Sequence, residues 1–236
     1  MPDENGCFAY GEKETEYLKK KDKKLAEVID RVGHVYRKTD PDLFSAVMRH
    51  IVGQQISTKA QATVWQRALD KFSAVTPEAI DHASVEDIQS VGISFRKAGY
   101  MKDFARKVVS GEFDLAAVEH MSDEEAIEAL SSLKGIGVWT AEMLLLFCLE
   151  RPDVLSFGDL AVLCGMRMVY HHRKLFEKYR RRLSPYGSVA SLYFWAAAGG
   201  QVPELKDLAP VKKEPAKDKK SQTPARKRKA ISKGEK

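Results

Sequence analysis

Gly135 and Gly137, one residue apart between two apolar helical patterns, constrain this chain more than any other feature of it. Upstream, Ala126, Ile127, Leu130 and Leu133 recur at helical spacing. Downstream, an apolar helix is expected from Val138 to about Leu149, with Pro152 just past its end. Glycine stops the first helix and allows backbone conformations that other residues rarely adopt. The reading is two helices joined by the hairpin Lys134-Gly135-Ile136-Gly137, with Ile136 able to plug into a core. The start of the second helix offers free N–H groups and the positive end of a helix dipole, and small residues let a phosphate approach them. Lys134 and Thr140 add a charge and a hydroxyl. Glycines at this spacing also make an ordinary tight turn in any all-α domain, so the hairpin alone leaves both readings open.

A carboxylate narrows them. Asp159 follows Ser156-Phe157-Gly158 in an otherwise apolar stretch that includes Val154, Leu155, Leu160, Ala161 and Val162. An acid there is a helix N-cap, a working group, or both, since a cap holds the carboxylate in one place.

Composition sets the bounds. A chain of 236 residues with 44% apolar content has material for one or two globular domains. The longest apolar run, Met143 to Leu149, is too short to span a bilayer, and Met1-Pro2-Asp3-Glu4 does not begin a signal peptide. Cys7, Cys148 and Cys164 have no metal-ligand spacing, and Cys148 reads as a reduced core residue, which suits a cytoplasmic protein (associated with the nucleoid in a prokaryote). The net charge of +6 is unevenly spread: residues 204–236 carry 12 Lys and Arg against 5 acids, and residues 1–203 carry 27 against 28. Any nucleic-acid contact by the body must therefore rest on local patches.

The pattern divides the chain into a loose leader (1–13), an all-α core (14–203) and a disordered basic tail (204–236), with no β domain ahead of the core. One amphipathic helix is expected over 14–32. Asp40-Pro41-Asp42 starts another that ends at Gly53, and Ser57 caps the next, over 58–72. Short helices open at Thr76 and Ser84, and capped helices follow Asp114 and Ser122. Residues 94–107 carry Arg96, Lys97, Lys102, Arg106 and Lys107 against Asp103, either a phosphate-binding face or a solvated one. A denser basic patch runs over 164–183 and includes His171, His172, Arg173 and Lys174, with no partners at metal-ligand spacing. A last helix is expected over 185–199, and Arg226 to Lys229 form a short basic run in the tail.

Leu-Lys-Gly-Ile-Gly-Val-Trp-Thr-Ala, followed about twenty residues later by Gly-Asp-Leu-Ala-Val, resembles the helix-hairpin-helix DNA glycosylases, most nearly their alkylation-repair (3-methyladenine) branch. Ile51-Val52-Gly53-Gln54-Gln55-Ile56-Ser57 resembles the same family, as does roughly the whole stretch 17–200. The resemblance implies a two-lobed helical fold with the active site between the lobes. It implies that the protein binds damaged double-stranded DNA, flips a nucleotide and hydrolyses its N-glycosidic bond, acting as a monomer away from membranes. Asp159 would be the catalytic carboxylate, and Trp139 and Trp195 would wall the base pocket, with Met143 where an aromatic is common. Gln54, Gln55, Ser57, Lys134, Gly135, Ile136, Gly137 and Thr140 would contact DNA, with Gln55 filling the gap left by the flipped nucleotide. Trp139 stands where the lyase branch has its Schiff-base lysine, so the resemblance implies a monofunctional enzyme. It implies no catalytic cofactor and no iron–sulfur cluster, but a structural cation on the carbonyls of Ser131, Leu133 and Ile136 is compatible with it. Gly187 departs from the family's usual arginine. Two alternatives stay open: a non-catalytic DNA-binding module, and a glycosylase for oxidised or deaminated bases.

Overall fold

Short polar side chains set where the helices begin. The computed structural model describes residues 3–170 and 176–207, and these form thirteen helices and no strand. The basic run 171–174 and the tail from 208 onward lie outside the described residues. Asp22, Asp42, Ser57, Thr76, Ser84, Ser94, Asp114 and Ser122 each accept a backbone N–H from the first turn of the helix that follows. Each such cap stabilises its helix by about 1 kcal/mol.

The expected single helix over 14–32 is two: α1 (Glu12–Lys21) and α2 (Lys23–Val32). Asp22 breaks it. Its Oδ1 caps α2, and its Oδ2 accepts from Arg182 at 2.7 Å while the residue is buried. The segment expected to be a loose leader is pinned in its described part. Cys7 and Phe8 are buried, Cys7 pairs with Lys38 as an isolated bridge, and Phe8 N–H donates to the Arg37 carbonyl.

The middle of the chain follows the expected boundaries closely: α3 (Leu43–Gly53), α4 (Thr58–Phe72), α5 (Pro77–His82), α6 (Val85–Gln89), α7 (Phe95–Val109), α8 (Leu115–His120) and α9 (Asp123–Ser131). α3, α5 and α6 pack on α7. The hairpin leads to α10 (Val138–Phe147), which packs on α9 and α3 and stops two residues earlier than its apolar pattern suggested. A second group of helices, α11 (Leu160–Tyr170), α12 (Phe176–Leu183) and α13 (Gly187–Ala198), gathers with α1 and α2.

Two close approaches hold this second group. A Cβ on Gly165 would lie 2.1 Å from the Phe194 carbonyl oxygen, so α11 and α13 cross at backbone contact. A Cβ on Gly187 would lie 2.8 Å from an Asp153 oxygen that already accepts the Gly187 N–H at 2.9 Å. Asp153 therefore takes the space that a side chain at 187 would need.

Candidate active site and DNA-facing surface

Asp159 caps α11: its Oδ1 accepts from the backbone of Ala161 and Val162, both at 2.8 Å. The same oxygen accepts from Trp195 Nε1 at 3.1 Å, and Oδ2 accepts from Trp139 Nε1 at 3.0 Å. Three elements thus converge on one carboxylate that is only 6% exposed: the start of α11, the first turn of α10 and the outer part of α13. The asymmetry matters chemically. Oδ1 is saturated by three donors that belong to the framework. Oδ2 has one, from an indole that is 45% exposed and next to the hairpin. A carboxylate held this way has a fixed oxygen and a working oxygen.

A cleft of about 510 Å³ lies on the far side of Trp195 and Phe147 from Asp159, and neither Asp159 nor either tryptophan lines it. Met143 and Phe147 of α10, Arg49 and His50 of α3 and the strap 36–40 line it. Trp195 reaches the cleft through Phe147, the two rings stacking at 5.5 Å and 24°. The carboxylate is therefore one indole away from the cleft lining. Met143 is buried, and the aromatic wall it does not supply comes from Phe147, one turn on. Burial, with Arg49 beside it, lowers the His50 imidazole pKa, which keeps that ring neutral. Burial first, and neighbouring carboxylates second, push the Cys148 thiol up to about 12, which removes it as a nucleophile near neutral pH.

The hairpin residues divide by role. Gly135 has φ +87°, and a Cβ there would lie 2.5 Å from the Tyr100 ring, whereas Gly137 is extended and opens into free space. Ile136 is buried, so only its backbone remains available to a ligand. Thr140 is buried too, which takes it off the surface where a phosphate would lie. Lys134 is exposed but forms an ion pair with Asp103 at 3.0 Å.

The loop before α4 carries Gln55 at φ +59°, exposed. Gln54 does something else: its Nε2 donates to the Gly135 carbonyl at 2.6 Å and ties the loop to the hairpin. Ser57 is the cap of α4. Lys97, left open between phosphate contact and a solvated face, does neither: it turns inward and donates to the carbonyls of Val52 and Gln54 at 2.9 and 2.6 Å. Lys102 does likewise, donating to the carbonyls of Asp81 and Ala83. Arg106 pairs with Asp103 and Lys107 with Glu112. The basic face expected over 94–107 is thus largely spent on internal contacts.

The pattern did not mark Val138, Phe157 and Leu160, exposed apolar residues next in the chain to Trp139 or near Asp159. Leu160 is 80% exposed, beside the only 6% exposed Asp159. An apolar residue at the first position of a helix, beside a capping acid, is the signal that could have marked Leu160. Among the described residues no group of three or more His, Cys, Asp or Glu is placed to hold a metal. At the hairpin, the Leu133 carbonyl accepts from Ile136 N–H at 3.0 Å. A carbonyl oxygen has a second lone pair, so Ser131, Leu133 and Ile136 are compatible with a cation held by backbone alone.

Two helices joined by a glycine hairpin, with a capped acid between two indoles at its side, define a helix-hairpin-helix DNA-binding protein with a candidate active site. Residues 48–185 match the HhH-GPD superfamily of base excision DNA repair proteins, and the chain belongs to that family. It is 32% identical over 165 residues to DNA-3-methyladenine glycosylase 1 of Schizosaccharomyces pombe, covering 64% of this chain and 71% of that protein. It is 28% identical over 172 residues to a putative DNA-3-methyladenine glycosylase of Bacillus subtilis, covering 66% of this chain and 59% of that protein. The crystal structure of a DNA-3-methyladenine glycosidase from Bacillus halodurans superposes with a TM-score of 0.76 at 33% identity, over 84% of this chain and 95% of that one.

Proposed function

We propose that this protein is a monofunctional DNA glycosylase of base excision repair, which flips alkylated purines of the 3-methyladenine and 7-methylguanine type out of duplex DNA and hydrolyses their N-glycosidic bonds. The named relatives support the substrate class. The observation that carries the mechanism is the geometry of Asp159, with Oδ1 held by three N–H donors and Oδ2 by one, the indole of the part-exposed Trp139.

A base within a duplex is out of reach, so the nucleotide must leave the stack. Gln55, exposed on its loop, fills the vacated space, and the N-terminus of α10 takes a backbone phosphate through its free N–H groups. The C1′–N bond then breaks with its electron pair departing on the base, and positive charge develops on the sugar. The Asp159 carboxylate stabilises that charge and accepts a proton from the water whose oxygen bonds to C1′. Trp195 and Phe147 offer the base a stacking face. Trp139 has no amine to attack C1′, so the reaction stops at an abasic site without strand cleavage. No step calls on a cofactor. A cation on the carbonyls of Ser131, Leu133 and Ile136 would only add positive charge at the phosphate. The protein acts on double-stranded DNA as a monomer, in the cytoplasm or nucleoid; no helix among the described residues is long and apolar enough to cross a membrane.

Base release from methylated, oxidised and deaminated duplexes, with Asp159→Asn in parallel, tests this. Wild type should release methylated purines fastest, and Asp159→Asn should bind the same duplexes while its release falls by about 100-fold or more. Release confined to oxidised or deaminated bases moves the substrate class. No release by wild type leaves a binding module.

A further inference from the structure

The strap that closes the cleft carries a cation where a base would stack. Arg37 Cζ lies 5.6 Å from the Trp195 ring centroid and 5.8 Å from that of Phe147, while the two centroids are 5.5 Å apart. The near-equilateral arrangement puts the guanidinium beside the stacked pair, about equally far from both rings, rather than between them. Its placement is built. The Arg37 carbonyl accepts from Phe8 N–H at 2.8 Å, and Asp40 N–H donates to the Phe147 carbonyl at 2.9 Å. Val35 N–H donates to the Tyr10 hydroxyl at 2.7 Å, and Tyr10 stacks on His34 at 4.3 Å. No carboxylate among the described residues pairs with Arg37; Asp40, the acid of the cleft, is matched to Arg49 at 3.4 Å. The strap also precedes residues 48–185, the stretch that matches the superfamily model.

We propose that Arg37 is a specificity-determining residue: standing against the Trp195 and Phe147 rings, it narrows the enzyme's preference for cationic bases over neutral purine adducts that offer a nitrogen or oxygen acceptor. The inference rests on the reading that the base enters this cleft. A cationic N-methylpurine meets a like charge that already stands against those rings. A neutral base loses nothing to charge repulsion and gains from the guanidinium's planar array of N–H donors.

Single-turnover excision with enzyme in excess separates this from DNA binding. The substrates are matched duplexes carrying 7-methylguanine, which is cationic, or 1,N6-ethenoadenine or hypoxanthine, which are neutral. Arg37→Met keeps an unbranched side chain and removes the charge; it should raise the rate ratio of 7-methylguanine to either neutral base by roughly two- to fivefold. Arg37→Lys keeps the charge but not the planar donors, so its ratio should lie between those of wild type and Arg37→Met. A ratio unchanged in Arg37→Met, or raised equally in Arg37→Lys, overturns the proposal while leaving the glycosylase reading intact. Release of no base by wild type overturns both.

Discussion

Gly165 and Phe194 touch backbone to backbone, with space between them for hydrogen but not for a Cβ, which would sit 2.1 Å from the Phe194 carbonyl oxygen. That contact sets the distance between the catalytic candidate and its indole. Asp159 caps the start of α11 and Trp195 follows Phe194 on α13, so the crossing of the two helices positions the 3.1 Å hydrogen bond between them. Gly165→Ala should force the helices apart and cost about 1–3 kcal/mol of stability. Urea unfolding measures the loss. Base release measured where the variant is still folded should fall as well, since the bond to Oδ1 depends on the same crossing.

The two indoles on Asp159 hold different oxygens, and their removal should differ. Trp195→Phe keeps a ring against Phe147 but leaves Oδ1 with its two backbone donors only. Hydrogen bonds to a charged group contribute about 1.5–3 kcal/mol, so single-turnover release should slow roughly ten- to a hundredfold if Trp195 holds the carboxylate in place during reaction. Trp139→Phe frees the exposed oxygen instead. It should slow release less than Trp195→Phe, and equal losses would refute the division between a fixed and a working oxygen.

The helices were legible because their starts are written in short polar residues: Ser57, Ser84 and Ser122 each cap the helix expected after them. Asp22 has the same chemistry, yet it sits inside a charged amphipathic run, where a break in phase between two helices is hidden by the lysines around it. Asp159 and its two tryptophans could be placed by pattern, because hairpin, aromatic and acid keep fixed spacings along the chain. Phe147 and Arg37 could not. Their contact joins residues more than a hundred apart, and no periodicity reports it. The lysines of 94–107 stayed undecided for a related reason: a charge count cannot tell Lys97, which turns inward to the Val52 and Gln54 carbonyls, from a side chain left in water.

Gln55 offers a test in which function and stability separate. At φ +59° a glutamine backbone is held in a region that glycine occupies freely. Gln55→Gly relieves that strain, while glycine's greater freedom in the unfolded chain offsets it, so stability should change by less than about 1 kcal/mol. The side chain proposed to fill the duplex is lost. Release from fully paired lesion duplexes should drop by about tenfold, and from mismatched ones by less, because extrusion there is easier. Equal loss on both would remove Gln55 from the flipping step.

The hairpin glycines make the sharpest contrast. Gly135→Ala needs a positive φ and a Cβ 2.5 Å from the Tyr100 ring, so it should cost about 1–3 kcal/mol of stability and disturb the carbonyl that Gln54 holds. Gly137→Ala meets no atom within 4 Å and keeps an ordinary extended backbone. Its stability should stay within about 1 kcal/mol of wild type, the cost of alanine at a helix cap. Yet that methyl stands at the N-terminus of α10, where a phosphate oxygen would approach the free N–H groups. Duplex affinity of Gly137→Ala, measured at fixed salt, should therefore fall by about tenfold in a protein that unfolds almost as wild type does. Unchanged affinity would mean that the DNA backbone does not approach the helix at this turn.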